Sequence, residues 1–430
     1  MLIRRKTFLS MAAASGAALT LAACGEEKKA EPKGEAKPAE GKQDDKEASP
    51  VRDANADLVI WADEKKAASL KEPAAKWGEK NGVKVAVQTV AVDLQPNFIT
   101  ANQAGNGPDI LVAAHDWIGN LVRNGAISPV QLPADAATKN APIGISAVTY
   151  ENQTYGVPYA VETLALYVNK DLTENEAPKT IEEMIEAAKK GKGGKVAENV
   201  LSLPVGEKGD AYHMEPLYTS AGGYLFGEKN GVLDPKDVGV GKEGSINAGE
   251  KMSQLGKEGV LKTSITGDNS IALFADGKSA YLVSGPWALA DVKKAGINYA
   301  VVEIPGFAGM QKAMPFAGVN AFYVASKGKN AGFASQFVND VASSPEIAEA
   351  MFPVNELPPV NLELQQKLAA DHPEIVQFAK LAENASPMPA IPAMAEIWGP
   401  LGQAESNIVG GADPKSTMES AGKEISSKIK

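Results

Sequence analysis

Glu64, Lys65, His115, Asp116 and Trp117 each follow closely on a short apolar run, Leu58-Val-Ile-Trp61 or Asp109-Ile-Leu-Val-Ala113. Open α/β sheets bind ligands beyond the carboxyl ends of their strands, so this set of acid, amine, imidazole and indole suits a cleft. Motifs for catalysis fail on context. Gly239-Val-Gly-Lys-Glu-Gly244 has the letters of a dinucleotide fingerprint but follows Asp234-Pro-Lys-Asp237, not an apolar strand. Gly277-Lys-Ser279 resembles the end of a phosphate loop, but Ala272 occupies the first glycine position. No Gly-x-Ser-x-Gly elbow and no His-Glu-x-x-His are present. One cysteine excludes a disulfide framework and a cysteine-based zinc site, and His115, His213 and His372 are scattered. No metal or cofactor is expected, and nothing points to an enzyme.

The chain has 430 residues and a formal net charge of −10. That length can bury a large core in two lobes. That balance excludes a general nucleic-acid binder, which needs a basic face. The N-terminus differs from the rest. Arg4, Arg5 and Lys6 precede an apolar stretch too short to span a bilayer, so residues 1–23 read as a signal peptide. The stretch ends in Leu21-Ala-Ala-Cys24, which resembles a bacterial lipobox and implies cleavage before Cys24 and a lipid on its sulfur. Residues 24–56 alternate acids and lysines without an aromatic, Leu or Ile. Such a segment cannot bury enough surface to offset chain entropy, and reads as a disordered charged tether.

The body alternates strand and helix patterns. Leu58-Val-Ile-Trp61 reads as a buried strand. Residues 65–80 have helical spacing, with Leu70, Ala74 and Trp77 on one face and Asn81-Gly82 as a stop. Residues 83–90 alternate as a strand, 96–104 read as a helix, 109–113 as a buried strand and 117–124 as a helix. Further helices are expected over 181–190, 333–341, 345–351, 362–370 and 373–383, and one ending at 270–276. Strands are expected over 195–203, from 280–283 and over 299–304. This order implies a mostly parallel sheet with helices on both faces. No internal repeat is found.

Several segments in order, from 58 to 430, resemble the extracellular solute-binding proteins of ABC sugar importers, particularly their maltose/maltodextrin-binding members. They include Gly107-Pro-Asp-Ile110, Ala160-Val-Glu162, Asn169-Lys-Asp-Leu172, Ala221-Gly-Gly-Tyr224, Asp237-Val-Gly-Val240, Gly285-Pro-Trp287, Met388-Pro and Ile391-Pro392 before Trp398. The resemblance implies a two-lobed α/β fold of the periplasmic-binding-protein type. Each lobe would be a mostly parallel sheet flanked by helices, with hinge crossovers near 160, 315 and 370. The first lobe would take 57–160 and 316–370, the second 161–315 and 371–430.

A pyranose offers hydroxyls at its rim and C–H patches on its faces, so its site needs carboxylates and amides at the edges and aromatic platforms beneath. By resemblance, Asp116 accepts sugar hydroxyls, Glu64 and Lys65 are an acid and lysine beyond the first strand, and Glu162 is an acid at a crossover. Asp210 and Tyr212 match an acid and a stacking tyrosine, and Trp287 and Trp398 match stacking tryptophans. Gln95 stands where an acid is replaced, and Met388 lines the pocket. Departures exist: Ala113 replaces a tryptophan, Trp117 replaces an arginine, and Gly399-Pro-Leu-Gly402 lies where another arginine is expected. His115 reads as a core or supporting histidine.

The expected function is capture of maltose, maltodextrin or a related α-glucoside in the interlobe cleft, and delivery to ABC permease subunits. The protein would be a monomer outside the cytoplasmic membrane, held there by lipidated Cys24. The alternatives are a surface glycoside hydrolase, which needs a carboxylate pair placed across a glycosidic bond, and a solute-binding protein for a non-sugar ligand.

Overall fold

The structure, a computed structural model, describes residues 51–229 and 232–429. The signal segment 1–23, Cys24 and the tether as far as residue 50 lie outside the described residues. The ordered body starts earlier than the composition predicts. Arg52, assigned above to the disordered tether, is buried, and its Nη1 lies 2.5 Å from Asp109 Oδ2. Asp109 also accepts the backbone N–H groups of Val59 and Asn330, each at 2.8 Å. A buried carboxylate needs such partners, and the composition of 24–56 gives no sign that one of its cations supplies them.

The strands are β1 Leu58–Ala62, β2 Val85–Thr89, β3 Ile110–Ala114, β4 Thr149–Tyr150, β5 Gln153–Thr154, β6 Gly156–Thr163 and β7 Ala165–Asn169. They continue with β8 Asn199–Ser202, β9 Phe226–Lys229, β10 Val232–Val238, β11 Ser279–Ser284, β12 Tyr299–Val302, β13 Phe316–Val324 and β14 Ser386–Pro387. The larger sheet has six strands, in the order β14-β13-β3-β1-β2 with β6 also on β13. The smaller has four, β12-β7-β11-β8. The strands β4 with β5, and β9 with β10, form separate two-stranded pairs.

Burial on both faces explains the unbroken apolar run of β1. Val59 and Trp61 face a cluster with Phe98, Leu121 and Tyr323, while Leu58, Ile60 and Ala62 face another with Leu70, Trp77 and Phe337. The helix Glu64–Asn81 follows. The Asp63 side chain caps it by accepting the Lys66 N–H at 2.9 Å. Gly82, at φ 67°, ends it in the left-handed conformation that glycine tolerates. The smaller sheet is likewise covered on both faces, by clusters containing Leu166, Val168 and Leu201 on one side and Ala165, Tyr167 and Leu282 on the other.

The fold is two-lobed α/β, as expected: three of the five pairings in the larger sheet are parallel, whereas the smaller sheet carries more antiparallel pairing than expected, with one parallel pairing of three. β1 runs parallel to β2 and β3, whereas β13 is antiparallel to β3 and β6. In the smaller sheet β7 is antiparallel to β11 and β12, and β8 is parallel to β11. Parallel pairing requires a crossover, usually a helix. Leu164 alone separates β6 from β7, so the chain passes straight from one sheet into the other. β13 brings it back after β12 by a loop, again without a helix. Later, the helix Pro373–Ala382 places Ile375 and Phe378 against the smaller sheet, β14 pairs with β13, and the helix Trp398–Val409 returns to the smaller lobe. Among the described residues no helix is long and apolar enough to cross a membrane.

Candidate functional site

The polar wall comes from the lobe of the larger sheet. Glu162 lies next to the end of β6 and is half-buried. Burial pushes its carboxyl above the usual value, the charges of Lys66 and Lys65 oppose this, and Asp63 adds to it. Asp116 stands in a short 3-10 turn, His115–Trp117, that follows β3 directly. Burial raises its carboxyl to about 6, while its own backbone N–H and Lys66 hold it back. Its Oδ1 is buried and has no hydrogen-bond partner. An acceptor in that state is costly unless a ligand donates to it. Lys66 acts on both acids and is itself 2.6 Å from Asp63 Oδ2.

The aromatic wall comes from the lobe of the smaller sheet. Tyr212 lies in the first turn of the helix Ala211–Ser220, whose cap is Asp210. The Asp210 carboxylate accepts the His213 N–H at 3.1 Å and lies 2.8 Å from His213 Nδ1. Burial would raise that carboxyl, but these bonds hold it below its usual value. The Tyr212 ring stacks on Phe316 at 5.9 Å and 26°, and lies 6.5 Å from Trp287. Trp398, the first residue of its helix, meets Phe316 edge-on at 5.8 Å and 72°. Trp287 is 36% exposed, and its indole folds over Gly285, where a Cβ would sit 2.1 Å from the ring. A side chain at residue 285 would displace that indole, which accounts for the glycine in Gly285-Pro-Trp287.

The two walls face each other. The Tyr212 hydroxyl is held protonated first by burial, then by the negative charges of Glu162, Asp210 and Asp116. Two of those acids belong to the opposite lobe. The structure therefore brings Asp116, Glu162, Asp210, Tyr212, Trp287 and Trp398 together.

The other expected residues fall into different places. Glu64 is exposed and is not among the groups acting on Glu162 or Asp116, and Lys65 acts on Glu162 from an exposed position. Gln95 is half-buried, and its Oε1 accepts the Asn120 side-chain amide at 3.0 Å. Trp117 is half-buried against the core of the larger lobe. Met388 is half-buried, and its carbonyl lies 3.0 Å from His115 Nε2. The Val319 N–H donates to His115 Nδ1 at 3.0 Å, which leaves Nε2–H as the donor to Met388. Burial lowers this histidine to about 4. His115 is thus a neutral pin between β13 and the Met388 loop.

Sequence reasoning missed Asp63, Lys66, His213 and Phe316. Of these, Asp63 and Lys66 adjoin the pair that was chosen, and Asp63 before a helix is an N-cap signal. Phe316 begins the strand β13, at the crossover expected near 315, but its ring was not named for the site.

The model of the family described as bacterial extracellular solute-binding protein matches residues 72–382. The galactooligosaccharide-binding protein of Bacillus subtilis (strain 168) is 30% identical over 96% of this chain and 94% of its own length. The maltooligosaccharide ABC transporter solute-binding lipoprotein of Streptococcus pneumoniae (TIGR4) is 29% identical over 80% of this chain and 82% of its own. Among solved structures, a cyclo/maltodextrin-binding protein complexed with maltotetraose superposes with a TM-score of 0.76 at 28% identity, covering 87% of this chain and 97% of that one.

Proposed function

The chain belongs to the bacterial extracellular solute-binding proteins, and on that premise we propose that it captures maltodextrin or a related α-glucoside between its lobes. One observation carries this reading: Tyr212 of one lobe stacks on Phe316 of β13 and feels the charges of Glu162 and Asp116 of the other, with Asp116 Oδ1 buried and unpartnered. Sugar hydroxyls supply the missing donors, and Tyr212, Trp287 and Trp398 supply faces for the sugar C–H patches. Glu64, Lys65, Gln95, Trp117 and Met388 belong to the rim rather than the centre of this site. Binding needs no chemistry, in keeping with relatives named as binding proteins. Micromolar affinity, about −8 kcal/mol, permits both capture and release.

The two lobes, one built on the larger sheet with β6 as far as Thr163 and the other on the smaller sheet, close on the ligand as a hinge and present the closed form to an ABC permease. The lipobox at Cys24 and a relative named as a lipoprotein support anchoring outside the cytoplasmic membrane through a lipid. The protein acts as a monomer.

A second reading of the ligand has its own support, because a relative matched over 96% of this chain is named for galactooligosaccharides. Thermal melting against maltose, maltotriose, a cyclodextrin, trehalose, sucrose and a β-galactooligosaccharide separates the two. A ligand that binds the folded state alone raises the melting temperature. A shift with α-glucans is the expected result. A shift confined to the galactooligosaccharide moves the assignment to that class, and no shift with any sugar ends the sugar reading.

A further inference from the structure

Two glutamates lie inside the lobe of the smaller sheet without any stated role. Glu215 is 4% exposed on the helix Ala211–Ser220, and Glu405 is 0% exposed on the helix Trp398–Val409. Glu215 Oε2 and both carboxyl oxygens of Glu405 are buried with no hydrogen-bond partner. The helices touch one turn earlier. Gly402 packs on Gly209 so closely that a Cβ at 209 would lie 1.7 Å from the Gly402 carbonyl oxygen, and Gly402 also approaches the backbone of Asp210 and Ala211. Glu215 follows Ala211 by four residues and Glu405 follows Gly402 by three, and the charge of Glu405 acts on Glu215. Their helices pack into the hydrophobic core of this lobe, to which Met214, Leu217, Leu401 and Ala404 belong.

A buried carboxylate without partners is expensive, and two side by side are more so. Neutral carboxyls can each donate a hydrogen bond and satisfy one another. We propose that Glu215 and Glu405 each keep a proton in the folded chain and form a latch between these helices, positioning Tyr212 and Trp398, so that ionising the latch at alkaline pH loosens the aromatic wall. The positioning role rests on the sugar reading above; the proton-holding does not. Burial acts first on both carboxyls in the raising direction, with Glu405 adding to the effect on Glu215 and Asp210 adding to that on Glu405. The groups that face the pair are Asp210, paired with His213 at the helix cap, and Tyr218, whose hydroxyl donates to the Tyr224 carbonyl. Ser245 reaches Tyr218 from the helix Glu243–Lys257. No lysine or arginine is among the groups acting on either glutamate.

The sign follows from linkage. A carboxyl whose folded pKa is raised keeps a proton that the unfolded chain releases above about pH 4.3, so the stability it contributes falls as pH rises. The full chain and its Glu215→Gln, Glu405→Gln and doubly substituted variants are melted without sugar between about pH 5 and pH 9. Their affinity for maltotriose is titrated over the same range. Glutamine keeps the shape and a donor without the charge. We expect the melting temperature of the unsubstituted chain to fall with pH more steeply than that of the double variant. We also expect maltotriose affinity to weaken about tenfold toward pH 9 in the unsubstituted chain and by less than about twofold in the double variant. A purely structural loss would shift the variants equally at every pH. Parallel sugar-free melting curves overturn the latch. Divergent melting curves with identical affinity profiles overturn the positioning role. Divergent melting curves with no maltotriose binding at any pH retain the protons and overturn the sugar reading together with the positioning that depends on it.

Discussion

The cleft has two walls built on different principles. The larger-sheet wall presents charge: Asp116 from the turn after β3, Glu162 from near the end of β6 and Lys66 from the first turn of the helix after β1. The smaller-sheet wall presents ring faces: Tyr212, Trp287 and Trp398, arranged around Phe316 and placed by helix starts and a 3-10 turn. The charged wall can choose the direction of hydroxyls but holds little area. The aromatic wall holds area but discriminates weakly among sugars, because every pyranose has an apolar face. Affinity is therefore assigned mainly to one wall and selectivity to the other.

The aromatic wall is the more sensitive to truncation. Removing a central tryptophan from a binding surface costs about 2–4 kcal/mol, on the order of a hundredfold in affinity. Trp398→Ala and Trp287→Ala should each approach that loss for maltotriose by calorimetry, with the melting temperature of the sugar-free chain little changed for the part-exposed Trp287. Unchanged affinity in both variants would remove the aromatic wall from the site and dissolve the division of labour.

The charged wall should show a smaller loss that depends on pH. A hydrogen bond to a charged group contributes about 1.5–3 kcal/mol, so Asp116→Asn should weaken binding between tenfold and a hundredfold at neutral pH. Asp116 is raised to about 6 by burial, and its ionised form is the better acceptor. Affinity should hold above about pH 6 and fall as pH drops through that value. Asp116→Asn should flatten this acid limb without touching the alkaline limb assigned to Glu215 and Glu405. An acid limb that persists in the asparagine variant would transfer it to Glu162.

Legibility from sequence followed the same division. β1 and β3 were readable because both their faces are buried, which leaves an unbroken apolar run. β6 and β13 were legible only through the resemblance, as crossovers near 160 and 315, and not from local pattern, since their strand character comes from pairing with each other and with β3. The site residues of the aromatic wall were legible through local motifs such as Gly285-Pro-Trp287, whose glycine the indole covers. Phe316, the ring against which Tyr212 and Trp398 pack, had no such motif. Arg52 and the Glu215–Glu405 pair show the limit most clearly. Each is an ordinary charged residue in its own segment, and its meaning depends on a partner far along the chain or on a second helix.

The register at the start of the first helix gives the finest test of the charged wall. Asp63-Glu-Lys-Lys66 offers two acids and two lysines, and sequence matching selected Glu64 and Lys65. Asp63 is instead the cap, and its bond to the Lys66 N–H sets which side chains of the first turn face the sheet. Glu64 projects into solvent, while Lys66 comes to lie between Asp63, Glu162 and Asp116. Lys66→Met should therefore weaken maltotriose binding a few-fold, about 1 kcal/mol, and move the acid limb to higher pH, because both carboxyls lose the cation that favours their ionised form. Glu64→Gln should leave affinity within about twofold, since an exposed charge is well screened. A larger loss for Glu64→Gln than for Lys66→Met would turn the register back and place the first acid inside the cleft.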